Sequence, residues 1–432
     1  MGVSLTDLPM PRGLCVKRLS IAVAVAALSL ISAGPGHAQT DLFGADTVTG
    51  WLDLGAGAAS GEPSWTRGGF GKLLYGQGSD PLRGDGGVDW RPRLSDTLQF
   101  DIDGQYHSGV PGPLGIGESY MRWKPVPTSS IRYAVRLGRL LPPISLENDG
   151  PGWTPTRTLT SSAIDSWVGE ELLVTGAELS VRGEAGGQGL GLTGGLFQGA
   201  DAAGAILAYR GWALNDMVTP GNGVLPLPDT PNAGYEAIFA KQARVTRPGV
   251  EVDGRGGYYV RGDWRPPAPV ALNLVYFYNP ANPSIITHGQ YGWTTRLIGG
   301  GLAYSLDSRD EVLSQYLWGS TKMGAVFPDG RHPADMDFQS AYVLLSHRLG
   351  DGSRLTLRGD YFATHDNSFL HLYDNTEQGY AGTAAWIHPW TEHLRSAVEI
   401  LDVASRRDAR LTVAEPAQQS QTQIQVSLRI SG

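Results

Sequence analysis

The chain alternates. From Leu98 to His107, Leu98, Phe100, Ile102, Gly104 and Tyr106 fall on one face, and Gln99, Asp101, Asp103, Gln105 and His107 on the other. A period of two is the signature of a strand with unlike faces. It returns in 131–137, where Arg132 and Arg136 share the polar face, and in 354–364, where Leu355, Leu357 and Tyr361 oppose Thr356, Arg358 and Asp360. It returns again at the end, where Ile424, Val426, Leu428 and Ile430 oppose Gln423, Gln425, Ser427 and Arg429. Helical periodicity is nearly absent.

The pattern predicts sixteen strands, near 66–76, 87–92, 97–107, 115–124, 131–140, 171–182, 188–199, 255–265, 270–279, 292–306, 311–321, 338–349, 354–364, 378–388, 393–405 and 421–431. Segments 48–57 and 206–214 are two spares that would raise the number to eighteen. Segments 292–306 and 311–321 alternate poorly, so their registers stay unassigned. Short turns (92–96, 125–130, 266–269, 307–310, 350–353 and 389–392) exchange with long connections (141–170, 200–254, 280–291, 322–337, 365–377 and 406–420). That asymmetry, with strands of about ten residues, predicts an all-β fold: a transmembrane antiparallel β-barrel with long extracellular loops and short periplasmic turns. An even strand number places both chain ends at the periplasmic rim, and sixteen to eighteen strands enclose a lumen.

Trp-basic-Pro occurs three times, at Trp90-Arg91-Pro92, Trp123-Lys124-Pro125 and Trp264-Arg265-Pro266, each before a short turn; Trp386 and Trp390 flank another. Trp at headgroup level, a basic side chain reaching phosphates and Pro ending the ladder suit a membrane boundary, so these five Trp are read as a girdle in contact with outer-membrane lipid.

Composition sharpens this. Residues 1–38 read as a signal peptide: Arg12, Lys17 and Arg18, then the apolar run Leu19–Ala33, then Gly36-His37-Ala38, with cleavage before Gln39. That run is shorter than the roughly 20 residues of a spanning helix. The single Cys, Cys15, leaves with it, as suits an oxidising compartment. The remaining 394 residues carry 31 basic and 41 acidic side chains, and no second apolar run long enough to span as a helix. Charged residues are only 18% of the chain, Gly numbers 59 and Trp plus Tyr 29. A disulfide scaffold, a zinc-finger array and a nucleic-acid partner are all excluded.

The register turns Arg132, Arg136, Arg182, Arg261, Arg358, Arg395 and Arg429 inward, together with Asp101, Asp103, Glu178, Asp263, Asp360 and Glu399. Seven against six is no strong funnel for either sign. The segment 141–170 is the candidate constriction loop: it is rich in Pro and Gly, carries Glu147, Asp149, Arg157, Asp165 and Glu170, and has Trp153 and Trp167 to pack it. Gly189-Leu-Gly-Leu-Thr-Gly194 matches a dinucleotide fingerprint but lies in an alternating segment with no helix after it. His107-Ser108 is the one place for a membrane-embedded hydrolase, with no third partner. His365 with His371, and His388 with His393, lack metal spacing. No cofactor or metal is expected.

The chain resembles Gram-negative outer-membrane porins, and among them the phosphate-selective porin-like group. The stretches Arg139-Leu-Leu-Pro-Pro-Ile-Ser-Leu-Glu147, Gly254-Arg-Gly-Gly-Tyr-Tyr-Val-Arg261 and Asp360-Tyr-Phe-Ala-Thr-His-Asp366 carry the resemblance. It implies a sixteen-stranded, often trimeric channel. Phosphate channels of this kind have a strong arginine ladder, which this sequence does not show; barrels of this kind usually end in an aromatic residue, and this chain ends Ile430-Ser431-Gly432. The leading expectation is a porin passing small hydrophilic solutes or ions. The alternatives are a loop-plugged barrel for polysaccharide export or surface attachment, and an outer-membrane lipid hydrolase.

Overall fold

The computed structural model describes residues 43, 44, 46–229, 242–368 and 374–432. The expected signal peptide and His371 lie outside the described residues. The wall is one closed barrel of sixteen antiparallel strands. They are β1 (Val48–Ala59), β2 (Leu82–Trp90), β3 (Leu98–His107), β4 (Leu114–Trp123), β5 (Arg132–Leu140), β6 (Val174–Ala185), β7 (Gln188–Gln198) and β8 (Gly257–Arg265). They continue with β9 (Val270–Pro280), β10 (Thr294–Ser305), β11 (Asp310–Met323), β12 (Ala334–Arg348), β13 (Arg354–Asp366), β14 (Glu377–Pro389), β15 (Leu394–Arg407) and β16 (Gln418–Ser431). Pairing of Trp51 with Ser431 through Ala59 with Gln423 closes β1 on β16. A closed sheet leaves no unpaired edge, which is what a lipid surround demands. Among the described residues no helix is long and apolar enough to cross a membrane.

One expected strand is replaced by another. Segment 66–76 is not in the wall; the spare at 48–57 is β1. Segment 60–81 turns into the lumen instead, where Trp65, Phe70, Leu73, Leu74 and Tyr75 are buried. Gly57 of β1 admits it, since a Cβ there would lie 2.6 Å from the Tyr75 ring. The second spare, 206–214, is also internal: it begins in the short helix α2 (Ala205–Tyr209). The wall therefore has sixteen strands and not eighteen.

Outward positions form an apolar band, including Leu54, Leu192, Val260, Leu274, Ile298, Trp318, Leu357 and Ile424, all exposed. Inward positions divide by height. Towards the long-loop rim, Phe197, Phe277, Leu297, Leu317, Phe338, Phe362 and Leu401 point inward and are buried. They pack against the inserted segments 60–81, 141–173 and 199–227 in one hydrophobic core inside the barrel. Trp167 lies 5.1 Å from Phe338 and 6.0 Å from Trp212, ring to ring. The poor alternation of β10 and β11 now has a cause: Leu297, Leu313 and Leu317 face the core while Ile298, Tyr316 and Trp318 face outward. A strand with apolar surroundings on both sides reads as a nearly continuous apolar run.

Candidate functional site

The lumen is crossed by 141–173. Its middle is helix α1 (Ala163–Glu171), started by Ser162, whose side chain accepts from the Asp165 N–H at 3.3 Å. Side chains all round the wall hold the crossing. Glu118 of β4 accepts from the Leu141 N–H (2.8 Å), Arg261 of β8 donates to the Pro143 carbonyl (2.6 Å) and Gln315 of β11 donates to the Ile144 carbonyl (2.8 Å). Gln105 of β3 donates to the Gly152 carbonyl (3.1 Å). Arg429 of β16 donates to Thr154 Oγ1 (2.7 Å), and Glu399 of β15 accepts from the Leu159 N–H (2.6 Å). Gly301 of β10 lets the crossing approach, since a Cβ there would lie 2.5 Å from Leu146 Cδ1.

The most concentrated charge sits where this loop meets β13. Arg358 bonds Asp360 (2.8 Å), Glu147 (3.2 Å) and the carbonyls of Thr160 (2.7 Å) and Ser161 (3.0 Å), with no exposed surface on the Arg358, Asp360 or Glu147 side chains. Asp165 is fully buried nearby, and Arg358 is already matched by two carboxylates. Burial, reinforced by the Glu147 charge, holds the Asp165 carboxyl well above the usual range. Glu171 is pushed up to about 7 by burial, against three donors: the N–H groups of Gly204 (2.7 Å) and Ile206 (3.0 Å) and Trp167 Nε1 (2.8 Å).

All thirteen wall residues singled out by alternation, from Asp101 to Arg429, occupy inward positions. Asp101 lies beside Arg91 and Arg122, and Asp103 accepts from Gln105; the other eleven divide into three sets. Arg261, Arg358, Asp360, Glu399 and Arg429 touch the inserted loop. Arg136 and Glu178 pair across β5 and β6 through two bonds of 2.7 Å, while Asp263 accepts from Arg261 at 2.7 Å. Arg132 and Arg182 are register partners near the short-turn rim and exposed; Arg395 is the register partner of Arg429. In the loop, Glu147, Asp165 and Glu170 are buried, Arg157 bonds Glu311 (2.8 Å) and Asp149 (2.9 Å), and Asp149 is half exposed. The five girdle tryptophans stand at or beside the short-turn ends: Trp90, Trp123 and Trp264 end β2, β4 and β8, and Trp386 and Trp390 flank Pro389.

Other charged residues escaped the sequence reading. Asp53, Asp85 and Asp89 also point inward, on strands the alternation left out or began late. Glu118 and Arg122 follow a register shift in β4 that reverses the facing expected from counting. Lys72 and Glu377 form an ion pair with no exposed surface at the long-loop end, beside Arg210–Glu170 (2.7 Å) and Arg410–Glu62 (3.1 Å). Burial lowers the Lys72 amine to about 7 against the pull of Glu377.

Two other chemistries meet the geometry directly. His107 Nε2 lies 2.9 Å from Gln105 Oε1, and Ser108 Oγ accepts from the Gly84 N–H (2.9 Å), so the two do not form a nucleophile–base pair. Asp201, Glu251 and Asp253 bring carboxylates within 4.8 Å of one another, and each already accepts from a backbone N–H, at Val252, Gly199 and Asn282 respectively. They tie down the long connection after β7.

No protein-family model and no curated protein matches the sequence. Solved structures match the fold. The outer membrane channel DcaP of Acinetobacter baumannii superimposes with a TM-score of 0.53 at 9% identity, over 89% of this chain and 96% of that one. OmpT, an outer membrane protein of Vibrio cholerae, matches at 0.48 and 11%, over 89% and 96% of the two chains. An anion-selective porin from Comamonas acidovorans matches at 0.48 and 13%, over 89% and 99%. At 9% identity the DcaP match shows a shared fold alone, that of an outer-membrane β-barrel.

Proposed function

We propose that this chain is an outer-membrane channel that passes small hydrophilic solutes or ions through a lumen narrowed by 141–173. The observation that carries the reading is the ring of wall side chains on β3, β4, β8, β11, β15 and β16 that hold this loop across the lumen. A segment fastened on every side is a built constriction. Selectivity for phosphate is not part of the reading. Arg136, Arg261, Arg358 and Arg429 each bond a carboxylate, which leaves no ladder of free guanidinium groups among them. The chain is exported by residues 1–38, sits in outer-membrane lipid through its apolar band and Trp girdle, and assembles as a homotrimer.

Conductance of the purified, refolded protein in a planar bilayer tests this. Discrete steps are expected; a folded protein without them defeats the proposal. A second reading, a plugged barrel for polysaccharide export or surface attachment, is favoured by the apolar core that fills the long-loop half. It predicts no steps and measurable glycan binding.

A further inference from the structure

The inner wall is not uniform around its circumference. Along β1–β3 it carries five aspartates on three neighbouring strands: Asp53, Asp85, Asp89, Asp101 and Asp103. Two of the contacts are between register partners of like charge, Asp53 with Asp85 and Asp89 with Asp103. Like charges directly opposite one another destabilise a sheet. A sixth carboxylate, Asp216 from the connection after β7, comes close enough to Asp85 for burial and that charge to raise its pKa. The row runs from Asp216 and Asp85 near the long-loop end, past Asp53, to Asp103, Asp89 and Asp101 near the short-turn end.

Four guanidinium groups answer these six carboxylates among the described residues: Arg83 to Asp85 (3.1 Å), Arg429 to Asp53 (2.8 Å), Arg91 to Asp89 (3.5 Å) and Asp101 (3.3 Å), and Arg122 to Asp101 (3.4 Å). Asp103 and Asp216 have no guanidinium partner among the described residues, and Asp89 shares Arg91 with Asp101. Asp103 is 8% exposed, and its Oδ1 has no hydrogen-bond donor among the described residues. On the same wall the buried Trp51 Nε1 also lacks an acceptor. A buried carboxylate oxygen without a donor calls for a cation or water. The Trp65–Trp167–Trp212 core fills the lumen towards the long-loop rim, above the Asp89–Asp103 pair.

We infer that the conducting path runs along β1–β3, past the Asp53–Asp85 and Asp89–Asp103 pairs, and that this row makes the channel selective for small cations. The inference rests on the channel reading and adds its route and its sign. A cation beside Asp89 and Asp103 offsets the repulsion that the wall otherwise bears. Partly exposed Arg91 and Arg122 at the exit keep the dwell short, as conduction through a charged site requires.

Reversal potentials in a potassium chloride gradient test it. The wild-type channel is expected to reverse towards the potassium potential. Asp103→Asn and Asp89→Asn should each lower the potassium-to-chloride permeability ratio roughly threefold, the weight of one unit charge about 6 Å away in water, and the double variant about tenfold. Asp402→Asn is the control. It removes the same charge from an exposed, outward-facing position of β15, where Asp402 accepts from Thr422 Oγ1 at 2.6 Å, and it should leave the ratio unchanged. Heat-modifiable gel mobility confirms that each variant has folded. A conducting wild type that prefers chloride, or a ratio that Asp89→Asn and Asp103→Asn both leave unmoved, overturns the inference while the channel reading stands. No conductance from folded wild type removes both.

Discussion

The β1–β3 and β10–β15 sectors of the lumen obey one strand period and solve opposite problems. In β10–β15 the inward positions include Leu297, Leu317, Phe338, Phe362 and Leu401, and the inserted helix packs on them as it would in a soluble domain. In β1–β3 the inward positions are aspartates in facing pairs. The first arrangement lowers free energy by burying apolar surface; the second sets like charges opposite one another and is answered in part by Arg83, Arg91, Arg122 and Arg429.

The largest perturbation of this contrast should come from Trp167→Ala. The ring touches Phe338 and Trp212 and is fully buried, so removal is expected to destabilise the internal core by about 3–5 kcal/mol. Protease access to 141–173 in refolded protein would rise while the barrel keeps its heat-modifiable mobility; unchanged access would show that the core does not hold the loop. Next is Arg358→Met, which strands Glu147 and Asp360 in a buried site and should cost about 3 kcal/mol in a urea titration. Adding Glu147→Gln should recover part of that loss.

The raised Asp165 carboxyl gives a pH arm. The folded carboxyl is raised above its unfolded value, so its contribution is full below the usual carboxylate range and is lost as pH rises through the raised value. The groups facing it are Glu147 on its own loop, Tyr342 on β12 and Arg358 with Asp360 on β13. Loop protection should therefore weaken with alkalinity, and Asp165→Asn should flatten that slope; an equal slope in the variant would show that Asp165 is not its source. The smallest effect expected is from Gln425→Ala. It removes bonds of 2.8 Å to Thr160 Oγ1 and Glu399 and should cost about 1 kcal/mol, read as a lower urea midpoint.

How much of this was legible differs by sector. Where one face was polar, as in β3, β13 and β16, alternation assigned inward residues by counting, and Arg358, Asp360 and Arg429 lie inward as counted. Where both faces were apolar, as in β10 and β11, counting failed because the plug is as apolar as lipid. The same ambiguity misplaced the first strand: Phe70, Leu73 and Leu74 of 66–76 meet the internal core and not the membrane. The inward sides of β4 were hidden by its register shift, since one extra residue reverses every later facing.

The sequence by itself left sixteen against eighteen strands open, and closure of the sheet decided for sixteen; what it determined was the period of two and the exchange of short turns with long connections. These are local properties of backbone and side-chain spacing. Only the tertiary structure decided which apolar segments cross the membrane and which turn inward, and which carboxylates meet an arginine and which meet another carboxylate. The physical reason is that hydrophobicity records a need for burial without naming the neighbour, and charge records a need for compensation without naming the partner. Both needs are settled by closure of the sheet, when Asp89 is brought opposite Asp103 and Trp167 against Phe338.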